Sequence, residues 1–478
     1  MSTILFLDDR DLDSRRGLDR RTVLPVRHPD NPLMRPEYDW EEGTVIPLTV
    51  LRDEKTGMWR MWYEIYKSYG MGKVNARGAV ETVPPFYAGA YAESSDGLDW
   101  HRPVLDKYEH RGSKKNSIVG GYEYVYSHVA LPEGHPWKYM RPSYPPGHKK
   151  HMFIQVSQNG FDWERTTAEP VLSGVCDGHT ILAGGWDPSI QRYVGYFRPD
   201  WTGETYPGRT VGRSTSPDGI RWSKLETILV PDDADPVGTE FYVFYVSPYE
   251  GQYIGIMNVL HLDRGCRDLS QPVPAGKEQT MDVQLFSSRD GIRWDRQNNR
   301  EPVIPLGPDG SWDDRYLYAT SMVALADRIR VYYGGSNALH HLGDMEKLGA
   351  ADERGRRYEF AAGIAEYRLD GFACLTPQFR DGEGVAETIP FPLDGDRMLL
   401  NVDASNGQVR MEVCDQEGRA LPGFGLRDCI PVARDSTQTT IRWKDGFSLG
   451  EYRNRRIRLR IEMRGRSRLY AIRIRGAS

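Results

Sequence analysis

Apolar residues in this chain gather into short runs, and the runs recur in a fixed order. One class is rich in aromatics: residues 58–63 (Met-Trp-Arg-Met-Trp-Tyr), 193–197 (Tyr-Val-Gly-Tyr-Phe), 253–257 (Tyr-Ile-Gly-Ile-Met) and 329–333 (Ile-Arg-Val-Tyr-Tyr). Runs of this length, bounded by turn residues and enriched in β-branched and aromatic side chains, read as strands. Each follows a turn and another apolar strand, such as 44–51 and 321–326. A second class, 88–92, 152–156 and 284–286, leads into a repeated heptapeptide. Its copies are Ser94-Ser95-Asp96-Gly97-Leu98-Asp99-Trp100, Ser157-Gln158-Asn159-Gly160-Phe161-Asp162-Trp163, Ser216-Pro217-Asp218-Gly219-Ile220-Arg221-Trp222 and Ser288-Arg289-Asp290-Gly291-Ile292-Arg293-Trp294. The tryptophans are 63, 59 and 72 residues apart, and a degenerate copy lies at Asp370-Gly371-Phe372. Asp-Gly and Asn-Gly supply the positive φ of a tight turn, so each copy predicts a hairpin with Trp packing back across it.

Each repeat thus offers about four strands in roughly 60–70 residues, and a four-stranded unit repeated radially is a propeller blade. Four clear units and one weak one predict five blades over residues 39–375, with residues 1–38 as an N-terminal strand and lead-in segment. After Leu375 the pattern changes. Residues 398–403, 408–413, 439–443 and 457–462 alternate apolar and polar with period two, the mark of half-buried antiparallel strands. Residues 376–478 are therefore expected to form a β-sandwich. The fold class predicted is all-β, a five-bladed β-propeller followed by a C-terminal β-sandwich. Ten arginines lie between Arg453 and Arg475. Their alternation with Ile457, Leu459 and Ile461 favours a solvated face over an anion-binding patch.

Composition narrows the function. The chain has 478 residues, 62 basic against 67 acidic, and a net charge of −5, so a whole-chain basic field for nucleic acid is absent. No apolar run approaches the roughly 20 residues of a membrane helix, and the start lacks the features of a signal peptide. A cytoplasmic location, with no nucleic-acid or membrane partner, is the expectation. Five scattered cysteines without a CxxC pair argue against a disulfide framework and a structural zinc site. No cofactor or metal is expected.

In a propeller, ligands bind where the inner strands begin and the blades converge. The predicted starts carry Asp39, Trp40 and Glu41; Asp177 and His179; Glu240 and Tyr242; and Asp313 and Arg315, with Tyr318 a further candidate. Arg198 is a further candidate. Convergent carboxylates among aromatic rings fit glycoside hydrolysis: one acid protonates the leaving oxygen while a second carboxylate attacks or activates water. Aromatic faces stack on sugar rings.

The heptapeptide, the runs at 57–63 and 328–335, the segment 26–33 and the C-terminal strands together resemble the five-bladed β-propeller glycoside hydrolases, the superfamily of families 32, 43, 68 and 117. The resemblance implies a carboxylate base or nucleophile in blade 1 (Glu41 or Asp39), an orienting aspartate (Asp177) and a glutamate acid (Glu240). Trp40, His179, Arg198, Tyr242, Asp313, Arg315 and Tyr318 are the candidates for binding substrate. The chain departs from the family pattern: it has no Trp-Met-Asn-Asp-Pro-Asn, Arg-Asp-Pro or Glu-Cys box. The expected activity is hydrolysis of an oligosaccharide, of furanoside or fructan type. The alternatives are a transglycosidase, a phosphorylase, a lyase, or a non-catalytic glycan-binding propeller.

Overall fold

The computed structural model describes residues 3–67, 73–74, 80–81, 86–121, 129–144, 150–200, 208–236, 238–262, 279–340, 347–352, 355–446 and 448–476; at 66–67, 73–74, 80–81, 86–87, 121, 176–179 and 445 it describes the backbone only. Among these residues the chain is almost wholly β. The helical segments are short 3-10 turns, such as Asp39–Glu41 and Leu449–Tyr452. No helix is long and apolar enough to cross a membrane. The chain divides into two compact units: Arg27–Val323 with Arg330–Ala365, and Met1–Val26 with Ala324–Ile329 and Glu366–Ser478.

The larger unit is a series of antiparallel meanders whose strands pair in chain order. The first runs Ile46–Arg52, Trp59–Lys67, Phe86–Ser94, Ile118–Gly121. The second runs Val129–Ala130, Tyr139–Ser143, His151–Ser157, Glu164–Arg165. The third is Val175–Asp187, Arg192–Pro199, Val211–Ser216, Glu226–Leu229. The fourth is Thr239–Tyr249, Gln252–Leu262, Gln279–Ser288, Asp295–Arg296. The fifth is Tyr316–Ala324, Arg328–Ser336, Phe360–Arg368, with Val26–Arg27 returning from the start of the chain. One parallel bridge, Met281 to Tyr316, links the last two.

Second strands such as Gln252–Leu262 are buried on both faces along most of their length, which requires sheets packed face to face. The apolar clusters show which sheets meet. Trp62 and Tyr91 of the first pack with Tyr139 of the second. Met140 and Ile154 of the second pack with Ile181 and Phe197 of the third. Val194 and Tyr196 of the third pack with Phe241 and Phe244 of the fourth. The fifth meets the first through Thr320, whose hydroxyl donates to the Pro47 carbonyl (2.8 Å), and Ser321, whose hydroxyl accepts from the Val50 amide (2.9 Å).

The repeated heptapeptide forms the contact between successive sheets. Within each turn the Ser hydroxyl accepts from the amide of the Asp or Asn, and the Asp or Asn carboxyl or amide oxygen accepts from the two amides after Gly. Only the glycine takes positive φ, 69–79° in the four copies. This differs from the two-residue turn expected, because the side-chain oxygens replace the second left-handed residue. In three of the four copies the glycine carbonyl then receives an aromatic donor from the neighbouring sheet. Trp62 Nε1 donates to Gly160 (2.9 Å), Tyr196 Oη to Gly291 (3.0 Å) and Tyr332 Oη to Gly97 (2.9 Å).

The smaller unit has two antiparallel sheets over one apolar core. One contains Leu18–Thr22, Ala373–Pro377, Arg468–Arg475, Arg397–Asp403 and Asp435–Thr440, with Thr3–Leu5 added. The other contains Leu12–Arg16, Glu383–Thr388, Arg456–Gly465 and Phe391–Pro392, with Gly407–Asp415 added. Residues 3–22 thus supply three strands that pair with C-terminal ones, which their polar sequence (Leu12–Arg16 is Leu-Asp-Ser-Arg-Arg) did not announce. Cys374, Cys414 and Cys429 are free and buried in this unit.

A Cβ added at Gly160 would lie 2.5 Å from the Trp62 ring, at φ +79°; one at Gly112, φ +81°, would meet nothing within 4 Å. Gly160→Ala therefore combines backbone strain with overpacking and is expected to cost on the order of 2–4 kcal/mol, against about 1–2 for Gly112→Ala. Urea denaturation of the two variants checks this; equal losses would contradict the close contact.

Candidate active site

The first strands of the meanders begin at Ile46, Val129, Val175, Thr239 and Tyr316. An apolar cluster joins three of these starts: Ile46, Leu260, Met281, Tyr316 and Phe360, with Tyr242 and Tyr318 packed against it. Period-two alternation puts Tyr316 and Tyr318 on one strand face; Tyr242 sits at a bulge in its strand, and Arg209 reaches both it and Glu240. The rings assemble into a floor. Tyr242 meets Tyr318 edge-on at 6.1 Å, and its hydroxyl is 2.9 Å from His340 Nε2. His340 stacks on Tyr316 at 5.5 Å, and Tyr316 is parallel to Tyr318 at 6.4 Å. Burial holds the hydroxyls of Tyr316 and Tyr318 well above the usual tyrosine range, so both are neutral donors.

Two glutamates adjoin this floor in contrasting surroundings. Glu240 is buried and forms an ion pair with Arg209 Nη1 at 2.5 Å, while the Arg209 guanidinium lies 5.0 Å over the Tyr242 ring. Glu64 stands opposite Ile46 near the end of Trp59–Lys67 and is half-buried. Desolvation pushes its carboxyl up to about 8, and among the described residues it has no hydrogen-bond or ion-pair partner. The charges of Glu64 and Tyr242 raise Tyr318, and the Arg198 guanidinium lowers it, which puts Glu64 and Arg198 around the same ring. A carboxyl that keeps its proton at neutral pH is a proton donor.

Beside the floor, His261 Nε2 contacts Asp282 Oδ2 at 2.7 Å on adjacent strands. Asp282 Oδ1 is buried and has no hydrogen-bond partner among the described residues. Among the described residues no group of three or more His, Cys, Asp or Glu is placed to hold a metal ion.

The structure thus gathers three of the expected residues, Glu240, Tyr242 and Tyr318, with Arg198 alongside. Asp177 and His179 lie on the strand Val175–Asp187, but their side chains are outside the described residues. The others sit elsewhere. Glu41 is fully buried: Oε1 accepts from Tyr63 (3.0 Å) and Arg102 (2.7 Å), and Oε2 accepts from the amides of Glu37 and Tyr38. Burial raises its carboxyl, and Arg102 opposes that shift. Asp39 is exposed, 3.8 Å from Arg111, and Trp40 is buried against Tyr38. Asp313 is buried between Arg27, Tyr333 and Ser311, and Arg315 pairs with Asp309 at 3.2 Å. Sequence reasoning passed over Glu64; its signal was a carboxylate standing among Trp62, Tyr63 and Ile65 in an otherwise apolar strand.

No protein-family model matches the chain, and no curated protein matches it. Some solved structures are similar. A glycosyl hydrolase from Bacteroides ovatus is 17% identical over 72% of this chain and 94% of its own, with a TM-score of 0.45. A structure from the GH130 family of mannoside phosphorylases, described as containing glycoside hydrolases that target β-1,2 mannosidic linkages in Candida mannan, is 17% identical over 73% and 94%, TM-score 0.44. The β-1,2-mannobiose phosphorylase from Listeria innocua is 10% identical over 73% and 97%, TM-score 0.46.

The Glu64 shift sets a stability test. A carboxyl whose pKa rises on folding binds its proton more tightly in the native state. Its contribution is complete below the ordinary value of 4.5 and is lost as pH rises towards about 8. Glu64→Gln stays neutral, so relative to wild type it should gain stability across that window, by a few kcal/mol at the upper end. Urea midpoints against pH measure this; parallel profiles would contradict the shift.

Proposed function

We propose that this chain is a glycoside hydrolase acting on an oligosaccharide, built as a five-bladed β-propeller with a β-sandwich that the N-terminal strands complete. The observation that supports this reading most is the pair Glu64 and Glu240 beside one aromatic floor. Glu64, protonated and without a partner among the described residues, donates to the leaving glycosidic oxygen. Glu240, a carboxylate in an ion pair, stabilises positive charge at the anomeric carbon or activates water. Asp177 is assigned the third carboxylate, on the neighbouring strand. Tyr242 and Tyr318 offer faces to the sugar ring, and the Tyr242–His340 pair offers hydrogen bonds to its hydroxyls. These roles reassign the expected ones: Glu240 becomes the base-side carboxylate, and Glu41 becomes a positioning residue that anchors Tyr63, the neighbour of Glu64.

Arg198 beside Tyr318 favours one second reading, phosphorolysis, in which a guanidinium receives phosphate as the acceptor.

The test is a panel of aryl glycosides and oligosaccharides, with and without inorganic phosphate, against wild type, Glu64→Gln and Glu240→Gln. Wild type should release a sugar without phosphate. Glu64→Gln should lose on the order of 10²–10⁴ in kcat on natural linkages, and far less on dinitrophenyl glycosides, whose leaving group needs no proton. Unchanged turnover by Glu64→Gln on natural linkages would remove it from the mechanism. Strict phosphate dependence would establish the second reading.

A further inference from the structure

The arginines of the smaller unit fall into two groups. Three on Arg456–Gly465 are matched with acids on paired strands or nearby: Arg458 with Asp13 (2.7 Å), Arg460 with Glu387 (2.8 Å), Arg464 with Glu383 (3.2 Å); Arg456 donates to the Pro390 carbonyl. They are the solvated face that the alternation predicted. Arg380 and Arg466 are different. Among the described residues neither guanidinium has a hydrogen-bond or ion-pair partner, and both are exposed. With Arg21 and Arg468 they line a concavity of about 700 Å³, against a single carboxylate, Asp403. Arg21 and Arg468 arrive from strands on either side of Ala373–Pro377.

Arg21 is already paired with Asp19 (3.0 Å) and Arg468 is held by Tyr470, so the charge left open in the hollow is that of Arg380 and Arg466, which an entering anion would match. The guanidinium fork fits carboxylate and sulfate oxygens two at a time. The remaining lining narrows the class. Thr22 and Asn406 present uncharged hydrogen-bonding groups, and Phe379, 75% exposed, stands at the rim. An exposed aromatic ring beside polar groups is a platform for the apolar face of a sugar. The volume lies within the roughly 300–1,000 Å³ of small-ligand sites and suits a short oligosaccharide. A duplex would instead need a long basic track, and the chain's net charge of −5 offers no such field.

We propose that this concavity is a second carbohydrate site, one that binds an acidic glycan through its carboxylate or sulfate groups. All its lining belongs to the smaller unit, whereas Glu64 and Glu240 belong to the larger, so the proposal does not depend on the catalytic reading.

Titration calorimetry on the full chain tests it, with trigalacturonate and a sulfated chondroitin tetrasaccharide as acidic probes and maltotriose as the neutral control. Wild type should bind at least one acidic probe saturably and one-to-one, and maltotriose at least tenfold more weakly. The double variant Arg380→Ser/Arg466→Ser should weaken acidic binding at least tenfold; both side chains are exposed and unpartnered, so folding is retained. Phe379→Ala should weaken the oligosaccharide several-fold. Glu64→Gln should bind as wild type does. No saturable binding of either acidic probe would overturn the proposal. So would binding unaffected by the arginine pair, or a DNA oligomer that binds more tightly than both probes. Loss of binding in Glu64→Gln alone would place the ligand in the larger unit and equally overturn it.

Discussion

The larger unit depends on one hydrogen bond used repeatedly: an aromatic N–H or O–H of one sheet donating to the glycine carbonyl of a turn on another. Trp62 to Gly160, Tyr196 to Gly291 and Tyr332 to Gly97 are its instances. The bond needs a turn whose carbonyl faces outward and whose glycine has no Cβ, since the same rings would collide with one. The Ser and Asp or Asn side chains hold that turn by taking up its amides. Three of the four copies therefore do two jobs, closing their own sheet and docking a neighbour, while the Gly219 carbonyl accepts from Trp222 of its own turn. The starts of three first strands share one apolar cluster around Ile46, Tyr242 and Tyr316, and the site lies there.

The site's chemistry follows from how differently three glutamates are treated by the same β framework. Glu41 has four hydrogen-bond donors and no exposure. Its charge is matched and its geometry locked, which suits a support. Glu240 has one strong cationic partner in Arg209, itself braced over Tyr242. Glu64 has neighbours that remove water and none among the described residues that replace it. Burial without compensation disfavours the charged form, and the carboxyl stays protonated well above its ordinary range. A buried acid with no partner among the described residues costs stability, and that cost supports the proton-donor role proposed for Glu64.

Much of this architecture was legible in the sequence because the repeat is local. Ser-x-(Asp/Asn)-Gly-x-x-Trp encodes its turn through contacts within seven residues, and the aromatic runs encode strands buried on both faces. The all-β reading and the repeated four-stranded units follow from that. Tyr242, Tyr318 and Glu240 were reachable because they sit just inside strand starts. The contrast between Glu41 and Glu64 was not legible. Whether a carboxylate is matched depends on Arg102, distant in sequence, and on rings brought in by three other strands. The N-terminal strands were hidden for a related reason: Leu12–Arg16 and Leu18–Thr22 are polar, and they are strands because of the partners they find, Glu383–Thr388 and Ala373–Pro377. The arginines show both outcomes in one stretch, with Arg458 and Arg460 matched and Arg466 left open.

The central claim is that Glu64 holds a proton at neutral pH in a site lined by neutral tyrosines. It is tested most directly by following glutamate side-chain carboxyls, labelled with carbon-13, through a pH titration by NMR. The account predicts one resonance, absent from Glu64→Gln, that titrates with a midpoint near 8. A Glu64 resonance that titrates near the ordinary 4.5 would contradict it, and would leave the site without its proton donor.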